Sequence, residues 1–186
     1  MTPFGYNPRK SAQVAAYFAL RSGGQVNILK LMKLIYLTER EYISRYDVPM
    51  LFDHLYSMRN GPVMSETLNF INGESESTHW SEFVSDRENH EVGVVKEALR
   101  IDDLDEFSDA DIEILDMVWG KFGHLSKWDL VDYTHKHCPE WEDPGDSSSL
   151  IPYERLLRYL GRENAEHIAG EISAMRVMAK HLANAV

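Results

Sequence analysis

The sequence predicts a mainly α-helical, compact domain of about seven helices with one small β-hairpin. Three observations carry this. Apolar residues recur at three- and four-residue intervals through most of the chain, and these runs start and stop at Asn, Ser, Pro and Gly signals. Strand-type composition is confined to one stretch near the middle. The 186 residues fit one domain, 1–186, with a core over about 10–160 and a C-terminal helix over 164–184.

Asn7-Pro8 starts the first helix, with Pro8 at the first helical position and Val14, Ala15, Tyr17 and Phe18 marking one face until Gly23-Gly24. Asn27 caps the second helix. Its apolar stripe of Ile28, Leu31, Met32, Ile35 and Tyr36 is widened by Leu29, Leu34 and Leu37 past half the circumference, so this helix is central. Glu41 and Arg45, four residues apart, place its last turns in solvent before Pro49. After a short extended piece at His54 to Arg59, Gly61-Pro62 is expected to open a third helix that buries Val63, Thr67, Leu68 and Ile71.

Trp80 to Ser85 and Glu91 to Val95 form the expected hairpin, with Gly93 interrupting its second strand. Ser108 with Asp111, and Ser126 with Asp129, fit capping boxes. The first of these helices is expected to bury Ile112, Leu115, Trp119 and Phe122; the second runs through Trp128, Val131 and Thr134 to Pro139. The DPGDSSS stretch at 143–149 is a loop, Pro152 opens a short helix ending at Gly161, and Asn164 caps the last. That helix aligns Ile168, Ile172, Met175, Ala179 and Leu182 as an expected core stripe, with Met175 and Met178 suited to an adaptable binding surface.

Nineteen basic against thirty acidic residues give a net charge of −11, which repels nucleic-acid phosphates and favours a basic partner. Cys138 is the sole cysteine, and MTPFGYNPRK lacks the apolar core of a secretory signal. The apolar run Ile28 to Leu37 is broken by Lys30 and Lys33 and is too short for a bilayer. The expectation is therefore a cytoplasmic protein with no membrane contact.

Among ligand-type residues, His135, His137 and Cys138 cluster in HKHC, but helical spacing splays the two histidines roughly 200° apart, so no metal is expected. A metal-binding protein or small enzyme built on these three, with His54, is the rival reading. No catalytic motif or cofactor loop is present, so neither catalytic residues nor a cofactor are expected. The acidic run Asp102, Asp103, Asp105, Glu106, Asp109 and Asp111 lacks a calcium-loop pattern and is expected to be a solvated linker ending at a helix N-terminus. Lys30 and Lys33 on so apolar a helix must snorkel to an edge or meet carboxylates. Snorkelling is the plain expectation; the alternative has both lining a groove where a partner docks. Arg59, beside Gly61-Pro62, is a simple turn residue or part of a small anion site.

NILKLMKLIYLTER, then PMLFDHLYSMRNGPV, then a helix over Leu125 to His135 ending near Glu140-Trp141, resembles the Panacea domain of SocA-like antitoxins. The resemblance spans about Lys10 to Leu160. Its most specific parts are the pair Lys-Leu-x-Lys-Leu-x-Tyr and Gly-Pro-Val, here Lys30 to Tyr36 and Gly61 to Val63; Asn60 stands where histidine is frequent. It implies an antitoxin that binds and neutralises a toxin encoded in the same operon, in some members also delivering it to the ClpXP protease. Asn27, Tyr36, Gly61, Pro62, Val63 and Trp141 are then the structural motif, and Lys30, Lys33, Arg59 and Asn60 the expected partner contacts. A phage or mobile-element accessory protein that binds a host protein is a further alternative. No separate DNA-binding domain is evident.

Overall fold

The computed structural model describes residues 5–183; Met1 to Phe4 and Asn184, on which the readings of the N-terminus and of the last helix's end partly rest, lie outside them. Among the described residues the elements run α1 (Pro8–Arg21), β1 (Gln25–Asn27), α2 (Ile28–Tyr46), β2 (Leu55–Met58), β3 (Gly61–Met64), α3 (Ser65–Asn72), α4 (Thr78–Ser81), β4 (Glu91–Gly93), α5 (Asp109–Phe122), α6 (Lys127–His137), β5 (Ser149–Ile151), α7 (Tyr153–Tyr159) and α8 (Ala165–Ala183). The mainly helical class holds, with eight helices and two small antiparallel sheets in place of seven and one hairpin.

Helix α2 is the axle. The Asn27 side chain accepts from the Leu29 and Lys30 N–H groups, and Asp47 ends the helix in the left-handed region at φ 56°. Between these caps Leu31, Leu34, Ile35 and Tyr36 have no exposed surface, because α1, α5, α6, α7, β1 and β3 all pack against them. Helix α1 starts as expected, with Asn7 capping and Pro8 first, but Ser11 to Ala19 are buried without a break. Four alanines in that run let neighbouring elements close in on every side. The polar members are satisfied: Ser11 Oγ lies 2.8 Å from Thr67 Oγ1, and Gln13 donates to Asp105 at 2.6 Å while accepting from the Glu106 N–H.

Gly61-Pro62 does not begin a helix. Gly61–Met64 is strand β3, paired antiparallel with β2 from Met58↔Gly61 to Leu55↔Met64. Because β3 is an edge of the β3-β2-β5 sheet, Pro62 can sit there without leaving a ladder acceptor unmet. Helix α3 starts later, at Ser65, and lacks a side-chain cap of its own. Asp53 supplies one from the preceding loop, accepting from the Glu66 and Thr67 N–H groups at 2.9 Å each.

The expected hairpin at 80–95 is also corrected. Trp80 is in the short α4, stacked on Phe70 with ring centroids 5.2 Å apart, and only a single Val84↔Val94 bridge joins the two segments. Strand β4 pairs instead with β1, forming the second sheet. The acidic run is largely exposed, as expected, but its end is buried at Asp111 and it is tied to α1. Arg9 reaches Asp105, and Lys10 reaches the buried Asp111 at 2.9 Å, so the run straps down the start of α1.

Both capping boxes form, Ser108 with Asp111 and Ser126 with Asp129. In α5 the buried positions are Ile114, Leu115, Val118 and Phe122, while Ile112 and Trp119 are only half-buried; in α6 Trp128 turns outward. The core stripe of α8 stops halfway: Ile168 and Ile172 are buried, but Met175 and Leu182 are exposed because α7, the element beneath, is only two turns long. Ile172→Ala should therefore lower unfolding free energy by about 3 kcal/mol in urea melts, whereas exposed Met178→Ala should change it by less than about 0.5 kcal/mol.

Candidate functional site

Four buried contacts bring the motif residues together. Lys33 has no exposed surface and donates from Nζ to the Pro62 carbonyl at 2.7 Å. It neither snorkels nor meets a carboxylate; burial lowers its pKa to about 7, so the amine can lose its proton near neutral pH and stay inside. Gly61 has φ +99°, and a Cβ there would lie 2.7 Å from Thr134 Oγ1, so only glycine lets the hairpin close onto α6. The Tyr36 hydroxyl and Arg40 Nε both donate at 2.7 Å to Oε1 of Glu140, a carboxylate with no exposed surface. Trp141 donates from Nε1 to the Met58 carbonyl at 2.9 Å and stacks on His135 at 3.9 Å. The turn after α6 is thereby pinned to α2 and to the β2–β3 hairpin at once.

This knot holds open a groove of about 870 Å³. One wall is the first turn of α2, with Asn27 and Leu29; another is the hairpin tip, with Met58, Arg59, Asn60 and Gly61. Lys127 and Trp128, at the start of α6, and the loop at 145–148 complete the surround, together with Arg87 and His90. Trp128 is 56% exposed and Arg59 and Asn60 project from the two-residue tip. Of the four expected partner contacts, the structure brings Lys33, Arg59 and Asn60 to this groove, Lys33 from beneath its floor. Lys30 turns elsewhere, donating to the Gly123 carbonyl at 2.6 Å and so capping the end of α5. Of the expected structural residues, Asn27, Gly61 and Val63 line the groove, while Pro62, Tyr36 and Trp141 support it through the bonds above.

The rival cluster is not assembled. His135 stacks on Trp141, His137 is exposed with its ring 4.5 Å from that of Tyr133, and Cys138 is buried with its thiol pushed up to about 12 by burial, the reverse of an activated nucleophile. Among the described residues no three His, Cys, Asp or Glu side chains are placed to hold a metal ion. His54 is remote from the three, beside Asp53 and lowered in pKa by burial and by Arg176.

A family model for the SocA-like antitoxin, Panacea domain, matches residues 31–142. The chain belongs to this family. No curated protein and no solved structure matches it. The Panacea segment opens inside α2 just before Lys33 and closes at Glu142, directly after the Glu140–Trp141 clasp. It thus contains both ends of every contact in the knot. The groove draws on it and on the adjoining 27–29 and 145–148 stretches, where the Panacea match does not extend.

Sequence reasoning missed Glu140, Arg40 and Thr134 as partners of the motif. It also missed a second polar cluster in which buried Glu39 accepts from the Met50 and Leu51 N–H groups, its carboxyl raised to about 8 by burial. The chain carried one signal for Glu140: a carboxylate between Pro139 and Trp141, where the last helix that carries the resemblance ends.

Glu140→Ala, which strands Tyr36 and Arg40, should cost about 3 kcal/mol in chemical denaturation. Lys33 gives a pH signature. Between about 7 and the ordinary lysine value the unfolded chain binds a proton that the folded chain does not, so stability rises with pH across that window and falls away as pH drops toward 7. Wild type should therefore gain stability relative to Lys33→Met when urea melts are moved from pH 7 to pH 9.5; parallel profiles would contradict a buried, neutral Lys33.

Proposed function

We propose that this protein is an antitoxin that neutralises a cognate toxin, encoded in the same operon, by direct protein–protein binding in the groove beside the β2–β3 hairpin. The observation that carries this reading is the coincidence of the Panacea segment with the knot that builds the groove. The family supplies the class of partner. The fold supplies a concave surface with a rigid base and an exposed aromatic side chain, Trp128, of the kind that anchors protein interfaces. No described helix is long and apolar enough to cross a membrane.

Binding, not catalysis, is the proposed mode of action. Neutralisation then requires only that the complex cover or distort what the toxin needs, and Cys138, the strongest nucleophile by type, is buried in the scaffold. Arg59 and Asn60 stand at the groove's edge with little to hold them except an exposed Arg59–Asp146 pair at 3.3 Å. Such positions change without cost to the fold, which suits them to discriminating between toxins.

The test is co-expression with the product of the neighbouring gene. That product alone should arrest growth, and this protein should restore it. Asn60→Trp, which crowds the hairpin tip, should abolish rescue while leaving the thermal melt unchanged. A harmless neighbour, or one that stays toxic beside the wild-type protein, removes the basis of the reading.

A further inference from the structure

The net charge of −11 suggests a surface for basic partners, yet the groove has the opposite sign. Its charged side chains are Arg59, Arg87, Lys127 and Asp146, with the Lys33 amine buried beneath the floor. Asp146 is matched by Arg59 in a pair exposed at both ends. Arg87 and Lys127 have no ion-pair partner among the described residues. The Arg87 guanidinium is nonetheless fixed, donating from Nε to the Asn89 carbonyl at 2.9 Å and from NH1 to Asn72 Oδ1 at 2.6 Å. Both acceptors are neutral, so the cation keeps its full charge in a set position. Asp86 and Glu88, beside it in sequence, do not line the groove. Lys127 also lines the groove, at the start of α6, its Nζ 5.6 Å from the centre of the exposed Trp128 ring. The groove these cations line also offers apolar side chains, with Leu29, Met58 and Leu68 only half-buried.

Unpaired cations flanking an apolar trough, in a chain with an excess of carboxylates, are complementary to one kind of occupant. We propose that the groove receives an acidic segment of the partner protein with apolar anchors, whose carboxylates meet Arg87 and Lys127 while its anchors rest on Leu29, Met58, Leu68 and Trp128. This rests on the reading of the groove as the toxin-binding surface and names the chemistry that surface selects. The overall negative charge then serves selectivity: an acidic segment is repelled from the rest of the molecule and held only at this trough.

Two experiments separate this inference from the antitoxin reading. In the first, binding of the neighbouring gene's product is measured for wild type, for Lys127→Glu, and for the double variant Arg87→Glu/Lys127→Glu. A control, Lys96→Glu/Lys136→Glu, makes the same change in net charge away from the groove. The double variant should weaken binding by about tenfold or more, with a smaller dependence on salt, and Lys127→Glu alone should move in the same direction; the control should match wild type. Equal affinity of wild type and the double variant overturns the acidic segment and leaves the antitoxin reading standing.

The second experiment needs no toxin. Three labelled peptides of equal length are compared: leucines at helical spacing with glutamates between, the same with lysines, and the glutamate peptide with serines replacing the leucines. The glutamate–leucine peptide should bind wild type about tenfold tighter than either other peptide and lose that advantage on the double variant. No binding, equal binding of the glutamate and lysine peptides, or undiminished binding without leucines would overturn the proposal, the last by assigning a simple anion site. A wild-type dimer in sedimentation that the double variant dissolves would overturn it in favour of a second copy.

Discussion

The buried Glu140 carboxylate is the constraint on which the rest of the site depends. A charged group without exposed surface is tolerable only where its hydrogen bonds are met, and here Tyr36 and Arg40, one turn apart on α2, both donate to Oε1 while Arg40 Nη2 reaches Oε2 at 3.4 Å. Glu140 lies three residues past the end of α6, so satisfying it fixes how α6 leaves the central helix. Trp141 is then carried to the Met58 carbonyl, which fixes the hairpin. Gly61 closes on Thr134, and Pro62 presents its carbonyl to Lys33. Each step positions the next, from one carboxylate to the hairpin tip that forms the groove's wall.

This order explains why the most recognisable residues of the chain are the least available to a partner. Lys33, Tyr36, Gly61 and Glu140 are buried, and what they share is the task of joining three elements. The surface they create is lined instead by residues with few structural duties: Arg59 and Asn60 at the tip, Lys127 and Trp128 at the start of α6, and the loop at 145–148. A scaffold of that kind can keep its frame while its lining varies, which leaves the choice of partner to the lining.

What the sequence disclosed follows from which interactions are local. The caps at Asn7, Asn27, Ser108 and Ser126 bond within three residues of themselves, and all were legible. The Gly-Pro turn was misread because its outcome is decided by pairing with β2, and because the cap that starts α3 comes from Asp53, twelve residues before Ser65. Strand β4 was assigned to the wrong partner for the same reason, its true neighbour β1 lying more than sixty residues earlier. Lys33, Arg59 and Asn60 come together at the groove, but Lys30 was not separable from Lys33 by pattern. Three residues apart, they lie at opposite edges of one helical face, and only the tertiary neighbours, Gly123 for one and Pro62 for the other, tell them apart.

Lys33 also shows why a hydrophobic residue would not serve equally well. A methionine of similar length would fill the space without the cost of desolvating an amine, and would leave the Pro62 carbonyl without its donor in a buried turn. Pro62 is where β3 leaves the hairpin tip, so an unmet carbonyl there loosens the wall that carries Arg59 and Asn60. The lowered pKa reconciles the two demands: the amine can give up its proton close to neutral pH, and the neutral form still donates. A lysine buried beneath the groove therefore trades stability for a fixed hairpin, and the gain is realised at the surface where the partner is proposed to bind.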